Sequence, residues 1–242
     1  MSNLLILFIF GFIGLSLRFI IIGEFELDQL FLLLLFPIAS ILVYFIMKWQ
    51  YNKDRNYEPR MGERDLVTRL GGDRVSTTKK KMYHGKKLIG TYQRFYNRWW
   101  KRVVADIMNN PGLWYLNLTF SLSNGGEEIV FKGKNETRIR RNNEWIIYLN
   151  NEVIGTVKTD YSLKNMGGKL KESLYLEYKG NTYHYQSLSI RSVTEIIVRD
   201  SKIARGERVS GSIYELTVND SHVKEAQMLF MVYILFNYQF GQ

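Results

Sequence analysis

The chain has 242 residues, a formal net charge of +10 and no cysteine. This length suffices for one domain of ordinary size and a membrane anchor. The lack of cysteine excludes a disulfide framework, a thiol nucleophile and a thiolate metal site. The positive charge is concentrated in residues 48–110, which carry 16 Lys/Arg against 6 Asp/Glu (net +10), whereas residues 1–47 have a net charge of −2 and residues 111–242 of +2.

Two long apolar runs occupy the N-terminal part of the chain. Residues 4–22 contain one charge, Arg18, and residues 30–47 contain none. As helices, both runs are long enough to cross a hydrocarbon core of about 30 Å. Arg18 lies near the end of its run, where it can snorkel to the interface or pair with an acidic residue of the connector. A cleaved signal peptide is disfavoured because the N-terminus is uncharged and no A-x-A site follows.

The charges that flank these runs predict their orientation. The connector GEFELDQ is acidic, whereas the residues after the second run are rich in Lys and Arg. By the positive-inside rule, the connector lies outside and both termini are cytoplasmic. We therefore predict an inner-membrane protein with three parts: a transmembrane hairpin (residues 1–47), a basic juxtamembrane linker (residues 48–74) and a cytoplasmic domain (residues 75–242).

The cytoplasmic part has the pattern of a β protein. Short alternating segments are separated by turn signals every 8–12 residues, which is typical of a sandwich or a barrel. One segment differs, because residues 98–108 carry apolar side chains at helical spacing. The predicted strands cover residues 88–96, 113–123, 127–134, 145–149, 153–159, 173–178, 182–188, 193–199, 203–209 and 212–218.

The C-terminal segment contains nine consecutive apolar residues, 228–236. A membrane span needs about 20, so this run is too short to be a third span. As a helix it would be apolar on every side and would have to be enclosed completely. A barrel of ten to twelve strands is wide enough to hold a helix. We predict a mainly β protein with helices, in which a helix over residues 223–238 fills a β-barrel.

Four segments in this order resemble the tubby C-terminal-like superfamily, in particular its bacterial branch. They are KKLIGTYQRFYNRWWKRVV, NNEWIIYLNNEVIGTVKTD, YLEYKGNTYHYQ, and SIYELTVND with the apolar helix after it. The resemblance covers about residues 75–240 and implies a tubby-like β-barrel of about 10–12 strands around a C-terminal helix. It also implies a link to lipids, because tubby domains bind phosphoinositide headgroups and phospholipid scramblases act on lipids. No motif carries the site residues of those proteins over, and the acidic cluster of a calcium-dependent scramblase is absent from the sequence.

A basic, aromatic-rich stretch is the strongest candidate for a binding surface. Such a stretch can lie on an anionic lipid leaflet, with Trp side chains at headgroup depth and about 1 kcal/mol from each cation. Two alternatives stay open. In the first, the cations are solvated or only enforce the membrane topology, and the aromatic side chains cap one end of the barrel. In the second, the stretch binds a protein partner. The predicted lipid-binding residues are Lys79, Lys80, Lys81, Lys86, Lys87, Arg94, Arg98, Trp99, Trp100, Lys101 and Arg102.

A second cluster, Arg138, Arg140 and Arg141, is a candidate anion site. On a strand, Arg138 and Arg140 share a face and could hold a phosphate with paired hydrogen bonds. The preferred alternative is a charged edge strand that discourages aggregation.

No pattern in the sequence indicates catalysis. The nucleophile elbow, HExxH and the Walker loop are all absent, and the three histidines have no ligand-like spacing. We therefore predict a non-enzymatic protein without catalytic residues, metal or cofactor. Nucleic acid is not an expected partner, because no RRM, KH or helix-turn-helix pattern occurs.

Three functions follow as hypotheses. The first is a membrane-anchored, non-catalytic module that binds anionic phospholipid surfaces, recruits a membrane-associated protein partner, or does both. The second is a scramblase-like component of lipid transport. The third is a scaffold or immunity-type subunit of a membrane complex.

Overall fold

The computed structural model describes residues 2–24, 26–59, 65–71, 79–107, 115–123, 126–134, 143–160, 171–188 and 193–240.

Two helices form the N-terminal part. Helix α1 spans Ser2–Ile22 and helix α2 spans Leu27–Arg55. Both are long and apolar enough to cross a membrane. The short connector makes them antiparallel neighbours, and Arg18 forms an ion pair with Glu26 across it. Helix α2 ends at Arg55, eight residues beyond residue 47, where the second predicted span ends.

Twelve antiparallel strands form a closed barrel, as the sequence predicts. Each strand pairs with its neighbours in chain order, and β1 pairs with both β2 and β12. All ten predicted strands are present, but β1 and β2 were missed, and β1 lies inside the stretch predicted to be a linker. The strands are β1 (Leu66–Arg69), β2 (Lys80–His84), β3 (Lys87–Phe95), β4 (Asn117–Leu122), β5 (Glu128–Gly133), β6 (Glu144–Leu149), β7 (Glu152–Thr159), β8 (Lys171–Tyr178), β9 (Asn181–Leu188), β10 (Val193–Val198), β11 (Ser201–Ser210) and β12 (Ile213–Val218).

Three hairpins of the barrel contain the same irregularity. The register shifts leave Ile89 of β3, Ile154 of β7 and Ile203 of β11 without a partner in the preceding strand. Gly90 and Gly155 follow the first two bulges, and a Cβ at either would lie only 2.7 or 2.6 Å from a backbone oxygen of the next strand. The sequence IGT occurs at these two bulges, at residues 89–91 and 154–156, and a bulge of this kind bends a strand around the barrel.

Helix α4, Ala226–Phe240, fills the barrel and confirms the central-helix prediction. Every side chain from Met228 to Phe236 is buried and belongs to the same apolar core as the inward-facing strand residues. The Tyr185 hydroxyl of β9 donates a hydrogen bond to the Leu229 carbonyl, at 3.0 Å. A 3₁₀ turn precedes the helix, so the helix begins three residues later than predicted.

The strand directions define two ends of the barrel. Helix α2 meets the barrel where β1 ends and β2 begins, and we call this the proximal end. Because neighbouring strands are antiparallel, β3 also ends there, while the β2–β3 turn at Gly85 lies at the distal end. Helix α3, Trp99–Ile107, follows β3 and contacts α1. Helix α4 begins after the distal end of β12, so its C-terminus lies at the proximal end.

Candidate membrane-facing site

Helix α3 carries a surface suited to a membrane interface. Trp99 is 80% exposed and Val103 is 45% exposed, one turn apart on the same face. Arg98 and Arg102 are also exposed beside them, whereas Lys101 and Ala105 are buried. The helix adjoins α1, so apolar and cationic side chains are presented next to the hairpin.

The predicted lipid-binding residues do not share one environment. Lys81 is half-buried, and Lys80, Arg94 and Lys101 are buried. The exposed members are Lys79, Lys86, Lys87, Arg98, Trp99, Trp100 and Arg102. Only the exposed members remain available to a lipid surface in this structure.

The three buried cations contact groups of the protein itself. Lys80 lies beneath the ring of Tyr238, 5.4 Å from its centroid, near the C-terminus of α4. Lys101 lies 5.2 Å from the ring of Tyr115, and the Arg94 guanidinium lies 5.0 Å from that of Tyr96. The C-terminus of a helix favours nearby positive charge, so the position of Lys80 is consistent with a structural role.

The exposed cations are divided between the two barrel ends. Lys86 and Lys87 flank the β2–β3 turn at the distal end. Lys87 and Phe95 are eight residues apart on β3, a distance of about 26 Å along an extended strand. A stretch that is continuous in sequence therefore forms two separate surfaces, and only the proximal one adjoins the hairpin.

A buried carboxylate joins α2 to the proximal end of the barrel. Asp54 is 1% exposed and accepts a hydrogen bond from the Gly71 backbone N–H, at 2.9 Å. Its Oδ1 lies 2.9 Å from Arg69 Nε, and its Oδ2 lies 3.6 Å from Lys80 Nζ. We call these four residues the Asp54 clamp. A Cβ at Gly71 would lie 2.5 Å from Asp54 Oδ1, so the backbone approaches closely only because residue 71 has no side chain.

A second contact lies beside the clamp. The Tyr83 hydroxyl of β2 donates to the Tyr57 carbonyl, at 3.0 Å, and the two rings meet edge to face. Val67 and Ile213 complete a small apolar cluster around them. The chain that leaves α2 is thus fixed to β1, β2 and β12 by a charged contact and an apolar one.

The family profile described as "Tubby C-terminal like domain" matches residues 71–239, which is more than two thirds of the chain. The chain belongs to the tubby C-terminal-like domain family. No curated protein and no solved structure matches it. The tubby-like match begins after β1, so the clamp joins residues on both sides of its boundary.

The predicted anion site and the expected absence of a metal stay predictions. Arg138, Arg140 and Arg141 lie outside the described residues, so their anion-binding role stays a prediction. Within the described ranges, no group of three His, Asp or Glu side chains is arranged to hold a metal. Among the described residues, tyrosines of the core have raised pKa values. Burial, with a smaller contribution from Tyr183, raises the pKa of Tyr185 well above its usual value, and burial likewise raises the pKa of Tyr233.

Sequence reasoning did not single out Asp54, Arg69 or Gly71. Asp54 falls within a run of alternating charges, YNKDRN, which is typical of a solvated helix end. The one available signal was its place just beyond an apolar span. Its partners are 15 to 26 positions away, and sequence spacing alone does not bring them together.

Proposed function

We propose that this protein is a membrane-anchored, non-catalytic module whose tubby-like barrel docks on the anionic cytoplasmic leaflet through α3. The observation that carries this proposal is the exposed pair Trp99 and Val103, flanked by Arg98 and Arg102, on a helix beside α1. An indole at the interface and cations near lipid phosphates are both favourable.

The hairpin supports this orientation. If α1 and α2 both span the membrane, the proximal end of the barrel faces the leaflet at which α2 ends. The Lys/Arg excess after α2 favours the cytoplasmic side for that end. Family membership supports a lipid ligand in general terms, whereas the choice of α3 rests on exposure and position alone. The hypotheses of lipid transport and of a scaffold subunit stay predictions, since no contact among the described residues favours either.

The test uses the full-length protein with 5-fluorotryptophan in lipid nanodiscs. The Trp99 resonance is assigned as the signal missing from Trp99→Phe, and lipids with a spin label near the headgroup report proximity by broadening. We expect broadening of Trp99 that grows with the phosphatidylglycerol fraction and weakens with salt. Trp145 is the internal control, because its ring is buried in the barrel and donates to the Leu116 carbonyl. Equal broadening of the two signals would overturn the docking.

A matched pair of variants tests the charge requirement. Arg98→Gln with Arg102→Gln removes two cations at α3 and should weaken the interaction by about 2 kcal/mol at low salt. Lys86→Gln with Lys87→Gln removes the same charge at the distal end and should leave the Trp99 signal unchanged. If both double variants reduce the phosphatidylglycerol dependence equally, net charge rather than α3 is responsible.

A further inference from the structure

A cleft of about 480 Å³ lies between the last turns of α2 and the strands β1 and β12. Its polar lining includes Asn52, Lys53, Asn56 and Arg69, and Trp49 and Glu58 also border it. The cleft is separate from the α3 surface, since none of its lining residues belongs to α3. It adjoins the Asp54 clamp through Arg69.

The cleft begins at the depth of lipid headgroups if α2 spans the membrane. The predicted span ends at residue 47, and Trp49 is about 3 Å further along the helix axis at 1.5 Å per residue. Lys53 is about 9 Å from the span end, close to the depth of one polar headgroup layer, which is about 5–8 Å thick. Trp49, Asn52 and Lys53 have the spacing i, i+3, i+4, so they share the helix face that borders the cleft, and Asn56 follows at the end of the helix.

The side chains of the cleft suit a phosphate group. Arg69 uses Nε toward Asp54, and within the described residues no hydrogen bond occupies its Nη groups. Lys53 adds an ammonium that lies 3.4 Å from the centroid of the Trp49 ring. Arginine N–H groups and a lysine ammonium are the usual donors to phosphate oxygens. Glu58 adds a carboxylate, which disfavours a ligand with several negative charges and can accept from a headgroup hydroxyl.

We propose that this cleft binds a single phosphate group through Arg69 and Lys53. The expected ligand is an anionic phospholipid of the leaflet at which α2 ends, because the cleft lies next to that leaflet. A soluble phosphate compound is the other ligand that carries the same group. The inference depends on the proposed membrane orientation but not on α3. Because Arg69 contacts both Asp54 and the cleft, an occupied cleft is linked directly to the contact that holds α2 on the barrel.

The experiment follows the Trp49 resonance of the same fluorinated full-length protein, assigned from Trp49→Phe. One arm raises phosphatidylglycerol in phosphatidylcholine nanodiscs, and the other adds inorganic phosphate to nanodiscs of phosphatidylcholine alone. We expect a saturable Trp49 shift with phosphatidylglycerol. Saturation with inorganic phosphate alone would retain the site and identify a soluble ligand. No saturable shift in either arm would overturn the proposal.

The variants separate this site from its surroundings. Lys53→Gln removes one donor, and Arg69→Lys keeps a cation beside Asp54 but removes the guanidinium. Each should raise the half-saturation point about tenfold, the usual loss for one hydrogen bond to a charged group. Lys86→Gln at the distal end is the matched control, and the Trp145 resonance monitors folding. An unchanged half-saturation point in well-folded Lys53→Gln and Arg69→Lys protein would also overturn the proposal.

The two proposals fail independently. If Trp99 is not broadened by lipid but Trp49 still shifts, the docking of α3 is wrong and the cleft remains a binding site. If Trp99 is broadened and Trp49 does not shift, the cleft proposal is wrong and the docking remains.

Discussion

Lys80 Nζ lies 3.6 Å from Asp54 Oδ2, and the two side chains are 2% and 1% exposed. Asp54 belongs to the last turn of α2 and Lys80 to the barrel, so this buried ion pair joins the N-terminal helices to the barrel. A buried charge is costly unless it is paired, which makes each partner dependent on the other. The barrel is therefore held on α2 through a contact in which the loss of either charge would strongly destabilise the protein.

Asp54→Asn should destabilise the protein by about 3 kcal/mol, because Lys80 and Arg69 would lose the charge that compensates them. Chemical unfolding of the full-length protein in detergent micelles measures this change. The control is Glu195→Gln, which removes an ion pair to Lys202 with a shorter distance, 2.6 Å, but with both side chains 40% or more exposed. We expect less than about 1 kcal/mol there, since solvent screens exposed pairs. Equal losses in the two variants would contradict the role of burial.

Gly206 of β11 makes room for the ring of Tyr233 on α4. A Cβ at position 206 would lie 2.5 Å from Tyr233 Cζ. Gly206→Ala should therefore cost about 1–3 kcal/mol, the usual penalty for overpacking a core. Tyr233→Leu should reduce that penalty, and a double-mutant cycle measures the coupling between the two positions. Gly14→Ala is the control, because nothing lies within 4 Å of its added Cβ. Additive effects of Gly206→Ala and Tyr233→Leu would show that the ring is not the obstacle.

Leu229→Lys should abolish the folded barrel. Leu229 is fully buried at the start of α4, and a single unpaired charge there costs several kcal/mol, comparable with the whole stability of many domains. Limited proteolysis of the full-length protein should show rapid cleavage within the barrel. Val223→Lys is the matched control, because Val223 lies just before the helix and is 56% exposed. Resistance of Leu229→Lys to protease would mean that the barrel can exist without a dry central helix.

The architecture was accessible from the sequence because its signals are local. A nine-residue run such as Met228–Phe236 can only be enclosed, and regular turn spacing implies a barrel or a sandwich around it. The strand β1 was missed because four residues are too few to show alternation. The strand β2 was missed because it begins with Lys80 and Lys81. A count of charges does not show that the first of these side chains is directed into the protein and the second outward.

The candidate site was less predictable, for a geometric reason. Charge density along the chain groups Lys86 with Arg98, but β3 separates them by the length of a strand. Burial divides the group again, since Lys80 and Lys101 are inside the protein. The cleft was not predictable at all, because Lys53 and Arg69 are brought together by the Asp54 clamp and not by their spacing. Local patterns thus specify elements, and the long-range register decides which cations share a surface.

Alkaline pH should destabilise the barrel through its core tyrosines. Burial raises the pKa of Tyr185 well above its usual value, and it raises the pKa of Tyr233 as well. Both remain protonated in the folded protein when the unfolded chain begins to lose these protons, near pH 10. Their stabilising contribution is therefore complete below about pH 10 and decreases as the pH rises toward the folded-state pKa, by about 1.4 kcal/mol per pH unit for each residue.

Tyr185→Phe isolates one of these contributions. It removes the hydrogen bond to the Leu229 carbonyl, which should cost about 1 kcal/mol near pH 7. Above about pH 10, however, the free energy of unfolding should decrease less steeply than in the unmodified protein, by about 1.4 kcal/mol per pH unit. Urea unfolding at a series of pH values from 8 to about 11.5 measures both quantities. Parallel pH profiles would show that Tyr185 ionises equally readily in the folded and unfolded chain. The burial of the Tyr185 side chain against α4 would then be wrong.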